Sequence, residues 1–159
     1  MVLTAPMIKQ LPLSFGTGHK TDVRTQFAAL CYRVKNDKVQ VLLVTSRRTG
    51  RWILPKGWPI NHKTPSESAA QEAWEEAGVV GRADPRPLGL FSYTKFFDGE
   101  PDLPCIAMVY AVRVTSLEHD FPEAGQRKRK WVSRKKAAAL VGEPELARIL
   151  RDFDPRNWH

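Results

Sequence analysis

The elements predicted along this 159-residue chain follow the order strands, helix, strands, helices. That order predicts an α/β fold in which helices cover the faces of a mixed β-sheet, an α/β/α sandwich. Two observations support it: apolar, β-branched runs are separated by turn residues, and one strongly capped helix lies between two groups of these runs. The length is that of one domain. Element order alone leaves other α+β arrangements open.

Turn residues divide the chain into its elements. The pair Asn36-Asp37 predicts a hairpin turn, and Pro85 and Pro87 are expected to break the chain before a later strand. The predicted strands are 26–34, 39–45, 52–54, 88–97, 105–114 and 130–133, and the predicted helices are 65–77, 134–141 and 143–151. The predicted divisions are an N-terminal arm at 1–23, a domain at 24–151 and a C-terminal tail at 152–159.

The first helix has clear signals at both ends. Thr64 and Glu67 have the spacing of a capping box, and Pro65 between them suits the first helical position. Gly78 follows the last turn, where a left-handed C-terminal cap is expected. An apolar stripe should pack this helix on the core. The stripe consists of Ala69, Ala70, Ala73, Trp74 and Ala77.

Three carboxylates crowd the opposite side of the same helix. Glu72, Glu75 and Glu76 have the spacing i, i+3, i+4 and therefore share one face. Like charges this close weaken a helix, so their presence suggests a cation that they bind. Hard cations such as Mg²⁺ prefer oxygen ligands. The alternative is an ordinary amphipathic helix with a solvated acidic face.

Residues 57–79 resemble the box of the Nudix hydrolase family, Gly-x5-Glu-x7-Arg-Glu-U-x-Glu-Glu-x-Gly-U, where U is aliphatic. Two positions depart from it: Lys63 replaces Glu and Gln71 replaces Arg, which removes a salt bridge that the family pattern implies. The run 46–57 and the basic stretch 126–132 resemble the diphosphoinositol polyphosphate phosphohydrolase subfamily. The matching box positions are Gly57, Glu72, Ala73, Glu75, Glu76, Gly78 and Val79.

The resemblance implies a Nudix-type α/β/α sandwich with a mixed β-sheet and a metal-dependent hydrolase. It implies that Glu72, Glu75 and Glu76 are catalytic and that they bind Mg²⁺, with Mn²⁺ as a substitute, together with a backbone carbonyl at Gly57 or Lys56. Which glutamate acts as the base stays open. The later acids Glu118, Asp120 and Glu123 lie in no motif and are expected to be solvated loop residues.

The net charge of +8 indicates an affinity for polyanions. Arginine binds phosphate oxygens in pairs, so Arg47 and Arg48, with Lys56, are the first candidates for substrate binding. Arg127 and Arg129 are the second. Strand alternation would place these two on one face and Lys128 and Lys130 on the other.

The leading hypothesis is a Mg²⁺-dependent hydrolase that cleaves a phosphoanhydride in a small, highly anionic substrate, such as an inositol pyrophosphate or a dinucleoside polyphosphate. One alternative is a nucleotide-sugar, ADP-ribose or nucleotide housecleaning pyrophosphatase. Another is a catalytically silent module that binds RNA or another polyanion, although no RNA-binding motif accompanies the basic residues.

The remaining expectations concern location and assembly. Apolar runs are too short to cross a bilayer, the N-terminus has no signal-peptide pattern, and the two cysteines suit buried thiols. A cytoplasmic protein without a membrane partner follows as the expectation. The family resemblance also suggests a possible homodimer, whereas a nucleic-acid partner is not expected.

Overall fold

A computed structural model describes residues 24–95 and 102–158. The predicted arm at 1–23 and the predicted turn at Asp98-Gly99 lie outside these residues. The strands are β1 Arg24–Lys35, β2 Lys38–Thr45, β3 Trp52–Ile53, β4 Lys56–Gly57, β5 Val79–Lys95, β6 Leu103–Leu117 and β7 Arg129–Ser133. The helices are α1 Pro65–Ala77, α2 Arg134–Leu140 and α3 Pro144–Asp152, followed by a 3₁₀ turn, Pro155–Asn157.

The described strands form one mixed sheet in the order β3-β2-β1-β6-β5, with β4 paired to β1 and β7 paired to β2. β1 and β6 run parallel, and the other pairs are antiparallel. The predicted hairpin is confirmed, because Asn36 and Asp37 turn the chain with φ of 52° and 61°. Two successive positive φ values are typical of a type I′ turn, whose twist matches that of the flanking strands.

Alternate residues of β1 serve two separate cores. Phe27 and Ala29 pack with the buried alanines of α1 on one face of the sheet. Ala28 and Leu30 pack on the other face, in the core that receives α2 and α3. Since strand side chains alternate between faces, one strand anchors both helical layers. The predicted α/β/α sandwich with a mixed sheet is confirmed.

The prolines do not end β5, which differs from the sequence expectation. β5 begins at Val79 and pairs with β6 through Pro87, with irregular register on both sides of that residue. Proline donates no ladder hydrogen bond, so a shift in register accommodates it without ending the strand.

Residues after 151 pack on the domain as well. Phe153 is buried in the core, and its ring centroid lies 5.1 Å from that of Tyr32 and 5.4 Å from that of Trp158. The segment predicted as a tail therefore closes one end of the second core. Among the described residues, no helix combines the length and apolar character needed to span a bilayer.

Candidate active site

The caps of α1 are those that the sequence predicts. The Thr64 hydroxyl accepts a hydrogen bond from the Glu67 N–H at 3.2 Å, and the Glu67 carboxylate accepts one from the Thr64 N–H at 2.8 Å. Gly78 ends the helix with φ of 70°. The predicted apolar stripe is only partly buried: Ala69, Ala73 and Ala77 pack on the sheet, whereas Ala70 and Trp74 are half-buried. With both ends fixed and these alanines buried, the direction of each glutamate is determined by the helix period.

Glu76 lies where α1 meets the sheet, with only 4% of the residue exposed. One carboxylate oxygen accepts the Lys56 backbone N–H at 2.8 Å, and the other lies 2.9 Å from the Arg127 guanidinium. Burial raises the pKa of Glu76 to about 7, in spite of the opposing effect of Arg127. Both oxygens are engaged, so the position of this carboxylate is fixed.

Glu72 stands directly against the backbone of Gly57. A Cβ atom built on Gly57 would lie 2.2 Å from the Glu72 carboxyl carbon, so a side chain at residue 57 would displace the carboxylate. Burial, followed by the charges of Glu75 and Glu123, raises the pKa of Glu72 to about 7. Close contact with Gly57 is the structural reason for glycine at this position.

Glu75 has a partner that the family pattern does not predict. The Gln71 side-chain amide donates to the Glu75 carboxylate at 3.1 Å. Gln71 stands where the family pattern has an arginine, so in this chain a neutral side chain holds Glu75 by a hydrogen bond.

The acidic face of α1, defined as Glu72, Glu75 and Glu76, is the candidate metal site. Within residues 24–95 and 102–158, no three His, Cys, Asp or Glu side chains converge closely enough to hold a metal ion as they stand. The donor chemistry nevertheless fits a hard divalent cation, which prefers carboxylate and carbonyl oxygens. Glu72 accepts no hydrogen bond from the described residues. It lies against the backbone of Gly57, whose carbonyl is another candidate ligand for such an ion.

Beside Glu76 opens a cleft of about 350 Å³. Four of the five predicted substrate-binding residues line it: Arg47, Arg48, Lys56 and Arg127. Burial lowers the pKa of the Lys56 ammonium to about 8, and this ammonium lies 4.9 Å from the centre of the Tyr93 ring. The cleft is therefore basic on the side next to the acidic face.

Arg127 is bound on three sides. Besides Glu76, its guanidinium reaches the Glu123 carboxylate at 3.3 Å and the Thr45 carbonyl at 3.1 Å. Glu123 also approaches Arg47 at 3.8 Å. The expectation that Glu123 is a solvated loop acid is therefore wrong, because its backbone N–H bonds to the last turn of α1 and its carboxylate holds two arginines.

The structure does not bring Arg129, the fifth predicted substrate-binding residue, into the cleft. Its guanidinium donates to the carbonyls of Ala77 at 2.8 Å and Glu118 at 2.7 Å, and lies 5.0 Å from the centre of the Phe121 ring. Arg127 and Arg129 both face α1, but Arg129 binds the carbonyl end of the helix, where a cation is favourable.

Sequence reasoning missed several residues on the far side of the cleft. The cleft is also lined by residues from three separate parts of the chain, β1, β5 and the turn before α3: Gln26, Tyr93, Lys95 and Glu143. Tyr93 lies on β5, packs against the core and donates its hydroxyl hydrogen bond to the Gln26 side chain. No motif connects these positions: the pairing of β1, β6 and β5 brings Gln26 and Tyr93 together, and the contact of α3 with β5 adds Glu143.

Comparison with known proteins places these features in a family. A family model described as the NUDIX domain matches residues 24–153. The chain is 32% identical over 120 residues to Nudix hydrolase 12, mitochondrial, of Arabidopsis thaliana, which covers 74% of this chain and 59% of that protein. It is 30% identical over 127 residues to human diphosphoinositol polyphosphate phosphohydrolase 2, covering 79% and 66%. The chain thus spans less than two thirds of the length of these relatives.

A solved structure gives the same result for the fold. The crystal structure of a MutT protein from Methanosarcina mazei Go1 superposes with a TM-score of 0.61, covering 89% of this chain and 100% of that chain. The sequence identity of 20% limits this likeness to the architecture.

Proposed function

Because the chain belongs to the Nudix family, we propose that it is a Mg²⁺-dependent hydrolase that cleaves a phosphoanhydride bond in a small, highly anionic substrate. An inositol pyrophosphate or a dinucleoside polyphosphate has the required charge. One observation carries the proposal: Glu76 joins the acidic face of α1 to the basic side of the cleft through its 2.9 Å ion pair with Arg127. A phosphate chain bound along the arginines would then lie beside the carboxylates.

The roles of the residues follow from their contacts. Arg47, Arg48, Arg127 and Lys56 would bind phosphate oxygens, and the planar fork of arginine matches them in pairs. Glu72, Glu75 and Glu76, with a backbone carbonyl at Gly57, would hold the divalent ion. When bound, such an ion supplies charge neutralisation on the phosphoryl oxygens and lowers the pKa of a water molecule.

The three glutamates are not equivalent in this proposal. Both oxygens of Glu76 are already engaged by Lys56 and Arg127, so Glu76 would approach the ion in one fixed position. Glu72 accepts no hydrogen bond from the described residues, which makes it the side chain left to accept a proton from the attacking water. As the water oxygen bonds to phosphorus, the bond between phosphorus and the bridging oxygen would break. Glu72 would hold the water proton, and the leaving phosphate would depart as an oxyanion.

The test is turnover of a phosphoanhydride panel, with and without Mg²⁺ or Mn²⁺, by the wild type and by E72Q and E76Q. We expect both substitutions to remove turnover while the circular dichroism spectrum is retained. E67Q is the matched control, because it makes the same change on the same helix at a capping position outside the cleft. Full activity in both E72Q and E76Q would exclude the proposal.

An observation on the far side of the cleft favours a second candidate within the same chemistry, a nucleotide-sugar or ADP-ribose pyrophosphatase. The Tyr93 ring and the Gln26 amide offer contacts to an uncharged group. Turnover that rises with phosphate number and falls in an R47M/R48M double variant supports the highly anionic substrate. Turnover indifferent to these arginines supports the second candidate.

A further inference from the structure

Glu143 has an unusual environment for the residue that precedes a helix. It occupies the N-cap position of α3, yet its side chain makes no capping hydrogen bond. One of its carboxylate oxygens, Oε2, is buried and accepts no hydrogen bond from any residue in the described parts of the chain. The same residue lines the cleft. A buried acceptor without a donor costs free energy, so this oxygen is suited to a donor that arrives with a ligand.

The groups around the Glu143 carboxylate indicate which kind of hydrogen-bond donor a ligand could bring to it. Lys56 and Tyr93 lie within electrostatic range of its carboxylate, and Arg51 lies 4.0 Å from the place where a Cβ on Gly142 would stand. Neither Lys56 nor Arg51 donates a hydrogen bond to the buried Oε2. The buried Oε2 is an acceptor without a donor, so the part of a substrate that lies against it should carry an O–H or N–H group.

We propose that Glu143 is a specificity-determining residue that accepts hydrogen bonds from the non-phosphate part of the substrate. The cleft would then favour a nucleoside-bearing polyphosphate, whose ribose and base carry O–H and N–H groups, over an inositol ring phosphorylated on every carbon. This inference rests on the proposed function for its reaction, and it selects one of the two substrate classes named there.

The geometry of the rest of the cleft is consistent with this division. The Tyr93 hydroxyl and the Gln26 side chain are bonded to each other and line the cleft with Glu143, and the Lys56 ammonium lies over the Tyr93 ring. The basic residues Arg47 and Arg127 belong to the side of the cleft next to α1. A nucleoside polyphosphate has the same order of groups, with uncharged donors at one end and phosphates beyond them.

Equilibrium binding tests the proposal without turnover. Isothermal titration calorimetry in the absence of Mg²⁺ would compare diadenosine tetraphosphate with inositol hexakisphosphate. We expect the wild type to prefer diadenosine tetraphosphate and E143Q to bind it about tenfold more weakly, because the amide replaces a charged acceptor. Binding of inositol hexakisphosphate by E143Q should stay equal or become tighter, since a repelling charge is removed.

The chain offers a matched control on the same helix. Glu145 accepts hydrogen bonds from the Ser92 backbone N–H at 3.0 Å and from its hydroxyl at 2.8 Å, and it does not line the cleft. E145Q should leave both affinities unchanged. Analogues with a hypoxanthine base or 2′-deoxyribose separate the two donor sources, since only the analogue that lacks the recognised donor should lose the sensitivity to E143Q.

The outcomes separate this inference from the proposed function. Equal effects of E143Q on both ligands, no effect on either, or no binding of diadenosine tetraphosphate by the wild type would overturn the role of Glu143. Discrimination that depends on Glu143 in a protein that hydrolyses no phosphoanhydride with Mg²⁺ would leave Glu143 in place and refute the catalytic proposal. Turnover of a phosphoanhydride without this discrimination would support the catalytic proposal and refute the role of Glu143.

Discussion

The acidic face of α1 and the loop that carries Arg127 meet at Glu76, but they are held in opposite ways. Glu72 lies against the Gly57 backbone and takes no hydrogen bond from the described residues, and burial together with the charge of Glu75 raises its pKa. Arg127 has only 9% of its side chain exposed and contacts acceptors from three separate parts of the chain.

This difference predicts which substitutions should affect activity and which should affect stability. On the acidic face only Glu76 has an ion pair among the described residues, and Glu75 is held by the neutral Gln71 amide. Carboxylates without a cation of the protein beside them suit a bound metal ion. Around Arg127 the charges are matched, and removing one partner leaves the others buried without compensation. Substitutions on the acidic face should therefore affect activity first, and substitutions at Arg127 should affect folding first.

The largest expected effect on stability is that of R127M. This variant would leave Glu76 buried beside an apolar side chain, and breaking a buried ion pair from one side costs about 3–5 kcal/mol. Urea unfolding at pH 8, where more of Glu76 is ionised, measures the loss. Leaving buried partners unsatisfied costs about 1–3 kcal/mol. A free energy of unfolding within about 1 kcal/mol of the wild type would therefore contradict the view that Arg127 holds three elements together.

R129M is the control for R127M, since both arginines precede or begin β7 and both face α1. Arg129 donates to two carbonyls outside the cleft, so we expect a loss of about 1–3 kcal/mol for the unsatisfied acceptors and an unchanged KM. R127M should also raise KM. An equal rise of KM in both variants would show that Arg129 contacts substrate.

On the acidic face, G57A should have a large effect on activity and a small one on stability. The new Cβ would meet the end of the Glu72 side chain, which is flexible and can move away without disturbing the fold. A displacement of this size at a catalytic group costs about 100-fold in turnover. G142A is the control, because the nearest atom to its Cβ lies 4.0 Å away. Unchanged turnover of G57A would remove Glu72 from the mechanism.

How far the sequence predicted the site depends on how far apart its residues lie in the chain. Glu72 and Glu76 are placed by one helix, so their spacing and caps were sufficient to predict their shared face. Arg127 and Arg129 looked equivalent, because β7 and the loop before it give no sign of which guanidinium reaches the cleft. That choice depends on the contact of Glu123 with the last turn of α1, which no local pattern encodes.

The far side of the cleft was beyond sequence reasoning for the same reason. Tyr93 and Glu143 belong to β5 and to the start of α3, and their meeting depends on sheet order and on how α3 packs. The fold itself needed less. The apolar runs and the helix caps predicted two helical layers on a mixed sheet, because a sheet with two apolar faces buries both of them only when helices cover both. Pro87 was expected to break the chain, but the long pairing of β5 with β6 continues past it with a shift in register.

The smallest expected effect is a pH dependence that has opposite signs at two glutamates of α1. In the folded protein the pKa of Glu72 is raised from its ordinary 4.5 to about 7, so the folded state binds more protons than the unfolded state between these values. Ionising Glu72 therefore lowers the free energy of unfolding as the pH rises through that window. The capping hydrogen bonds lower the pKa of Glu67, whose contribution is instead lost as the pH falls. Melting temperatures of the metal-free protein from pH 4 to pH 8 should show a decline above pH 5 that E72Q reduces and E67Q does not. A decline that persists unchanged in E72Q would mean that the Glu72 carboxylate is neutralised within the protein, and the contrast between the acidic face and Arg127 would then fail.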